Sequence, residues 1–166
     1  MRLIPTLAAA LALPTLAAAQ DATASLVGAD GAPMGEVMMT DTPNGLLFEV
    51  RLTGVPEGGH GFHVHQVGTC EPDFEAAGDH YAPDGNEHGL MNEAGAHAGD
   101  LPNVFATAEG VVEADIVSER LSVSGDTGAP LMDEDGSAIM VHANPDSYMA
   151  EAGAGDRIAC GVVEAM

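Results

Sequence analysis

Lysine is absent from this chain of 166 residues, and four arginines face 26 aspartates and glutamates, which gives a formal charge of -22. A chain with so few cations has nothing to neutralise a row of phosphates, so nucleic-acid binding is excluded. Docking on an anionic membrane surface is disfavoured for the same reason. Tryptophan is also absent and aromatic residues are 4% of the chain, so the core must be aliphatic.

The apolar content is nevertheless sufficient for a folded core. Hydrophobic residues make up 46% of the sequence, whereas disordered chains combine high charge with low hydrophobicity. The length fits a single domain. The 21 glycines and 10 prolines indicate a fold with many turns.

The first nineteen residues are typical of a secretory signal peptide. Arg2 is followed by a run rich in leucine and alanine and then by three alanines at 17–19. This is the order of positive end, apolar middle and small-residue cleavage site. The run is shorter than the ~20 residues of a membrane-spanning helix and contains Pro5 and Pro14. We therefore predict cleavage of 1–19, export, a single domain over 20–166 and no membrane attachment after cleavage.

Two cysteines, Cys70 and Cys160, are present in the chain. In an oxidising compartment a lone pair of cysteines is most simply a disulfide, and two separate buried thiols are the alternative. Closing so long a loop would restrict the unfolded chain by roughly 4–5 kcal/mol in the chain-entropy account.

Alternating apolar and polar residues, the period of a β-strand, recur after residue 20, and no stretch keeps the spacing of an amphipathic helix. Phe48, Val50 and Leu52, for example, fall on one face of their segment. The segments with a strand pattern are 45–55, 60–67, 111–117, 138–143 and 158–164. Short alternating strands separated by frequent turns predict an all-β antiparallel sandwich or barrel.

Two segments, 68–103 and 143–156, interrupt this rhythm. The first is long, rich in glycine, acidic residues and histidine, and has little alternation. Loops of this length without regular structure are usually functional. We therefore expect the functional site to be built from these two loops.

Six of the seven histidines lie within the 38 residues 60–97. His63 and His65 flank Val64 in a strand pattern, so period-2 alternation places both imidazoles on one face and Val64 on the other. Two imidazoles on one face suit copper, zinc or iron. The pair alone is not specific, because cupins and metal-dependent hydrolases also have it.

The long loop carries a second set of metal-ligating side chains: His80, His88, His97 and Asp100. Three imidazoles and one carboxylate can close a tetrahedral zinc site. His142 follows far along the chain and could join the face of His63 and His65 only through tertiary structure. His60 we interpret as a structural hydrogen-bonding residue beside the site.

An ordered set of motifs resembles the copper/zinc superoxide dismutases of the exported bacterial kind. The motifs are GFHVHQVGTC (61–70), AGDHYAP (77–83), HAGDLPN (97–103), MVHANPD (140–146) and GDRIACGVV (155–163). The resemblance extends from about residue 22 to 165. It implies an eight-stranded Greek-key β-barrel with a long metal-binding loop and a short second active-site loop. It also implies one copper and one zinc per chain, a periplasmic or secreted protein, and a monomer or homodimer.

The same resemblance implies a role for each site residue. Copper would be held by His63, His65, His80 and His142. Zinc would be held by His80, His88, His97 and Asp100, with His80 bridging the two metals as an imidazolate. Asp146 would link the copper ligand His63 to the zinc ligand His88. Arg157 would stand over the copper channel and attract the substrate anion, and Cys70 would pair with Cys160, tying the metal loop to the last strand.

The implied activity is dismutation of superoxide to oxygen and hydrogen peroxide, as antioxidant defence outside the cytoplasm. Two alternatives are a copper or zinc store or sensor on the same barrel, and a cupin-type oxygenase. Storage needs neither a bridging His80 nor Arg157. A cupin would need a glutamate a few residues after His65, whereas the nearest, Glu71, lies beyond Cys70.

The chain departs from the animal members of the family in its second loop. The segment between His142 and Arg157 is short and has no lysine, whereas those enzymes use basic residues there to steer superoxide. Asp156 directly precedes Arg157, where the family usually has a small residue. If the Asp156 carboxylate faces the channel, it would offset the arginine.

Overall fold

The computed structural model describes residues 21–166. The predicted signal peptide, 1–19, lies outside the described residues. Within 21–166 no helix has the length and apolar character to cross a membrane.

The regular elements of the described chain are eleven strands and one short 3-10 helix, Phe74–Ala77. The strands are β1 Asp21–Gly28, β2 Pro33–Thr42, β3 Gly45–Leu52, β4 Gly58–His60, β5 Phe62–His65, β6 Val104–Ala106, β7 Val112–Ser118, β8 Leu121–Ser122, β9 Ala129–Pro130, β10 Ala138–His142 and β11 Arg157–Ala165.

Seven strands form one antiparallel sheet in the order β5-β10-β11-β1-β2-β3-β7. β10 and β11, the last two strands of the chain, therefore lie between β5 and β1. This order brings His142 on β10 beside the histidines of β5. In the register of β5 and β10, His63 pairs with Met140 and His65 with Ala138. His142 at the end of β10 pairs with Arg157 at the start of β11.

The core is aliphatic apart from a few rings, as the composition predicts. On β3, Phe48, Val50 and Leu52 are buried on one face, and on β5 Val64 is fully buried in the same cluster. The rings of Phe48 and Phe62 meet edge to face with centroids 6.4 Å apart. Burial of each such side chain contributes about 1.5–3 kcal/mol relative to exposure.

The all-β prediction is confirmed, and each predicted segment contains an observed strand. Eleven strands are found within the described residues where eight were expected, and four of them, β4, β6, β8 and β9, are only two or three residues long. The two predicted loops contain no strand; the one regular element in them is the 3-10 helix.

Candidate metal centre

Backbone hydrogen bonds join the long loop to β5 at Val64, the residue between His63 and His65. Val64 donates its N–H to Gly99 O (2.9 Å) and accepts the N–H of Tyr81 (2.8 Å). A side chain at position 99 would meet Val64 O at 2.3 Å, so only glycine allows this approach. Backbone bonds to β5 therefore carry His80 and His97 against His63 and His65.

The four predicted copper ligands converge in the structure. One donor atom from each of these four side chains lies within 4.8 Å of the others: His63, His65, His80 and His142. His63 and His65 are fully buried on β5, and His142 is 5% exposed on β10. Val64 points into the core instead, as strand alternation predicts.

Three of these histidines each present a buried nitrogen that has no hydrogen-bond partner within the described chain. These nitrogens are His63 Nδ1, His65 Nε2 and His142 Nε2. The opposite nitrogen of each ring is engaged, by Asp146 Oδ2 (2.6 Å), Gly78 O (2.8 Å) and Gly155 O (3.1 Å) respectively. A ring N–H that donates to oxygen leaves a lone pair on the free nitrogen. Since buried polar atoms are normally satisfied, the three lone pairs fit a metal with imidazole preference, such as copper.

Burial keeps these imidazoles neutral, which is the form that binds metals. Loss of solvation lowers the pKa of His63 and of His142 to about 4. It lowers the pKa of His65 to about 2, and the neighbouring His80 and Arg157 add to that shift. The Asp146 hydrogen bond opposes the shift at His63 but does not overcome it.

The predicted zinc ligands meet at one carboxylate oxygen. Asp100 Oδ1 lies 2.9 Å from His80 Nδ1, 3.3 Å from His97 Nδ1 and 3.5 Å from His88 Nε2. His97 Nδ1 is buried and makes no hydrogen bond within the described residues. The second group of donor atoms within 4.8 Å of one another comes from His63, His80, His88 and Asp100, so it contains a predicted copper ligand, His63, and not the predicted zinc ligand His97. His80 belongs to both groups.

The Asp100 carboxylate is held in its ionised form. Burial alone would raise its pKa, but hydrogen bonds from His80 and from the Gly89 N–H lower it well below the usual range. Oδ2 accepts the N–H groups of Gly89 (2.8 Å) and His97 (3.0 Å). Arg120 Nη2 donates to the backbone carbonyl of Asp100 at 2.7 Å. Arg120 therefore fixes the backbone from which this carboxylate projects.

We expect the Arg120→Met variant to bind zinc at least about tenfold more weakly, the lower end of the effect of removing a group that orients a ligand. Methionine keeps much of the apolar stem and loses the bond to Asp100 O. A zinc titration against a chromogenic chelator measures the change. Arg51→Met is the matched control, because Arg51 pairs at the surface with Asp115 (2.9 Å). Equal zinc affinity in the two variants would contradict a positioning role for Arg120.

Asp146 lies between the two groups of histidines. Its Oδ2 is 2.6 Å from His63 Nε2 and 2.9 Å from His88 Nε2. Hydrogen bonds from His63 and from the Tyr148 N–H lower its pKa against the effect of burial. Asn103 clamps the Asp146 backbone, donating Nδ2 to Asp146 O (2.9 Å) and accepting its N–H (2.8 Å). Asn103 could not be found from the sequence as a functional residue, because an amide in a loop motif carries no signal of its distant partner.

His60 forms hydrogen bonds beside the site, as the sequence predicts, and does not belong to either group of metal-ligating atoms. Its ring is 2% exposed. Nδ1 lies 2.7 Å from His142 O and Nε2 lies 2.7 Å from Pro56 O, so both nitrogens are occupied by carbonyl groups. It ties the loop before β4 to the end of β10.

Arg157 is anchored at the rim of the site by backbone carbonyls. It donates to Phe74 O (2.6 Å) and Gly78 O (2.8 Å), on and just after the 3-10 helix. Gly78 O also accepts from His65 Nδ1 at 2.8 Å. Cys70 and Cys160 form a disulfide, which joins this loop to β11 three residues beyond Arg157. The disulfide prediction is confirmed.

A cavity of about 490 Å³ opens over three of the histidines, His80, His88 and His97, with Arg157 in its wall. The wall contributed by the second loop is made of Ala150 and Ala152. Asp156 lines a different, neighbouring cavity. Glu75 and Arg157 line that cavity as well, and the carboxylate paired with Arg157 is that of Glu75, at 3.5 Å.

Comparison with known proteins agrees with this geometry. The family model of copper/zinc superoxide dismutase matches residues 34–163. The Cu-Zn superoxide dismutase of Caulobacter vibrioides is 44% identical over 148 residues, covering 86% of this chain and 85% of that protein. The Cu-Zn superoxide dismutase 2 of Aquifex aeolicus is 34% identical, with 95% of each chain covered.

Solved structures show the same fold. A superoxide dismutase-like protein from Bacillus subtilis superimposes with a TM-score of 0.79 at 34% identity, covering 84% of this chain and 96% of that one. The Cu/Zn superoxide dismutase from Brucella abortus gives a TM-score of 0.73 at 32% identity, covering 87% and 99%. The barrel prediction, the enzyme class and the choice of copper and zinc as cofactors are confirmed. The chain belongs to the copper/zinc superoxide dismutase family.

Proposed function

We propose that this protein dismutates superoxide to oxygen and hydrogen peroxide outside the cytoplasm, as antioxidant defence. Copper would be held by His63, His65, His80 and His142. Zinc would be held by His80, His88, His97 and Asp100. The observation that carries the proposal is the set of three buried lone pairs, His63 Nδ1, His65 Nε2 and His142 Nε2, aimed beside a histidine shared with the second group.

Copper, when bound, supplies the redox chemistry by accepting an electron from one superoxide and giving it to a second. The residues of the chain supply position and protons. His80 Nδ1 faces Asp100 Oδ1 at 2.9 Å, which leaves Nε2 for the group of His63, His65 and His142. The His80 side chain is 15% exposed and lines the cavity. When it does not hold copper, Nε2 would carry one of the two protons that the reduced product gains.

Arg157 would receive the substrate anion. Its guanidinium lies in the wall of the cavity beside His80. The two carbonyl bonds to Phe74 and Gly78 fix its orientation, and a planar guanidinium with several donors suits this anchoring better than an ammonium group would. The disulfide between Cys70 and Cys160 is consistent with an exported, periplasmic or secreted protein.

Metal counting combined with superoxide decay tests the proposal. The mature protein, loaded with copper and zinc, should contain one of each per chain and should accelerate superoxide decay in stopped-flow measurements. Full metal content without faster decay would contradict the enzyme and favour a metal store. Size-exclusion chromatography with light scattering distinguishes the monomer from the homodimer, both of which fit the sequence.

Moderate salt should leave the rate unchanged or raise it. The chain carries a formal charge of -22, so the field of the whole protein repels a substrate that is itself an anion. At 0.1 M ionic strength the Debye length is about 10 Å, so salt screens the repulsion that acts over longer distances. Superoxide decay is measured from low to moderate salt at constant pH. A steep fall in rate would show that local attraction dominates the approach of the substrate.

A further inference from the structure

We propose that Glu75 weakens the attraction of the site for anions by pairing with Arg157, so that this glutamate sets how strongly small anions enter the metal cavity. The inference rests on the proposed function, because it concerns the approach of superoxide to the same site. It gives a role to a residue that pairs with Arg157 but does not itself line the metal cavity.

The pair is defined by distance and by unequal exposure. Glu75 Oε2 lies 3.5 Å from Arg157 Nη2. The arginine side chain is 13% exposed, whereas the glutamate side chain is 77% exposed. The same Nη2 donates to Gly78 O at 2.8 Å, so the guanidinium stays in place without the carboxylate. Glu75 therefore changes the charge around Arg157 and is not needed to hold it.

The backbone fixes where the Glu75 side chain begins. Glu75 is the second residue of the 3-10 helix, its N–H donates to Asp73 Oδ1 (3.2 Å) and its carbonyl accepts the N–H of Gly78 (3.0 Å). The preceding residue, Phe74, offers its carbonyl to Arg157. The same short helix thus provides the Phe74 carbonyl that holds Arg157 and the Glu75 carboxylate that offsets its charge.

The other cations of the described chain offer no substitute for Arg157. Arg51 pairs with Asp115 at the surface, and Arg120 donates to Asp100 O. Among residues 21–166, Arg157 is the only basic side chain other than histidine that lines the cavity over the metal residues. A carboxylate 3.5 Å from this charge reduces the field that an entering anion meets, and salt screens the reduction because Glu75 is exposed.

The test compares Glu75→Gln with the unchanged protein, both loaded with copper and zinc. Glutamine keeps the backbone bonds and most of the side-chain volume and removes only the charge. Azide serves as the anion probe, and its dissociation constant is read from the charge-transfer absorbance of the copper protein. We expect the constant to fall about threefold at low salt and the difference to vanish near 1 M salt. The superoxide rate should rise about twofold at low salt, and this gain over the unchanged protein should disappear as salt is added.

Glu109→Gln is the matched control, because Glu109 is an exposed turn residue and its loss changes net charge equally. In this control the azide constant should stay within experimental error. A second comparison uses the Arg157→Gln background, where adding Glu75→Gln should change the azide constant no more than the control does. An unchanged constant in Glu75→Gln, or an equal gain without Arg157, would overturn the inference. Failure of the proposed function would appear separately, as metal-loaded protein that binds azide but does not accelerate superoxide decay.

Discussion

Replacing His80 with alanine should lower the superoxide dismutation rate by about 100-fold or more and disturb both metals. His80 belongs to both groups of ligating atoms, as does His63, whose Nε2 is bound to Asp146. Its ring centroid lies 3.9 Å from that of His63 and 5.6 Å from that of His97, so one imidazole connects the two halves of the site. Removal of a group that holds and transfers a proton costs about 10²–10⁴-fold in rate. Metal content by mass spectrometry and stopped-flow superoxide decay measure the two effects.

His97→Ala provides the comparison for that variant. His97 contacts the Asp100 side of the site and is absent from the group of His63, His65 and His142. Its loss should reduce zinc content and leave most copper bound. If His80→Ala instead keeps both metals and the full rate, or loses only zinc as His97→Ala does, the bridging role is refuted.

The ligand residues were predictable because histidine is a common metal ligand and because the spacing of the histidines in the sequence is distinctive. His63 and His65 follow strand alternation, and the structure places them on one face with Val64 in the core. His142 needed the resemblance, since the sequence gives no local reason for β10 to lie beside β5. Tertiary pairing, and not local pattern, brings it to the site.

The strands β1 and β2 were not among the predicted segments. The buried face of β1 is formed by Ala22, Ala24 and Leu26, and alanines give a weak apolar signal against intervening small polar residues. In β2, Gly35 has a φ of 128° and lies where a Cβ atom would meet Arg51 O at 2.2 Å. A glycine within a strand pattern predicts a break in the strand, although here it permits close contact between neighbouring strands.

The groups that position the site were the least predictable part. Arg157 is held by the carbonyls of Phe74 and Gly78, and Asp100 by an arginine twenty residues away. Backbone carbonyls carry no signal in residue identity, and their partners are set by how the loops fold back. For the same reason, adjacency in sequence draws attention to Asp156, whereas the carboxylate paired with Arg157 is that of Glu75.

The metal-free protein should lose stability steeply as pH falls from about 6.5 to 4. Burial lowers the pKa of folded His63 and His142 to about 4 and that of His65 to about 2, from an ordinary value of 6.5. Between these values the unfolded chain binds protons that the folded chain does not, so acid favours unfolding. The stability is therefore fully present above pH 6.5 and is lost as pH falls through the folded values. Each unit of lowered pKa corresponds to about 1.4 kcal/mol, so several kcal/mol should be lost by pH 4.

Urea unfolding of the chelator-treated protein, followed by circular dichroism at pH 7, 5.5 and 4.5, measures this dependence. Asp100 and Asp146 add to the loss only at lower pH, because their pKa values are lowered from an ordinary value of 3.8. His142→Asn removes one of the buried imidazoles and should flatten the slope between pH 6.5 and 4.5. A free energy of unfolding that stays constant from pH 7 to 4.5 would show that the folded protein accepts these protons. The conclusion that the three imidazoles are neutral in the folded protein would then be wrong.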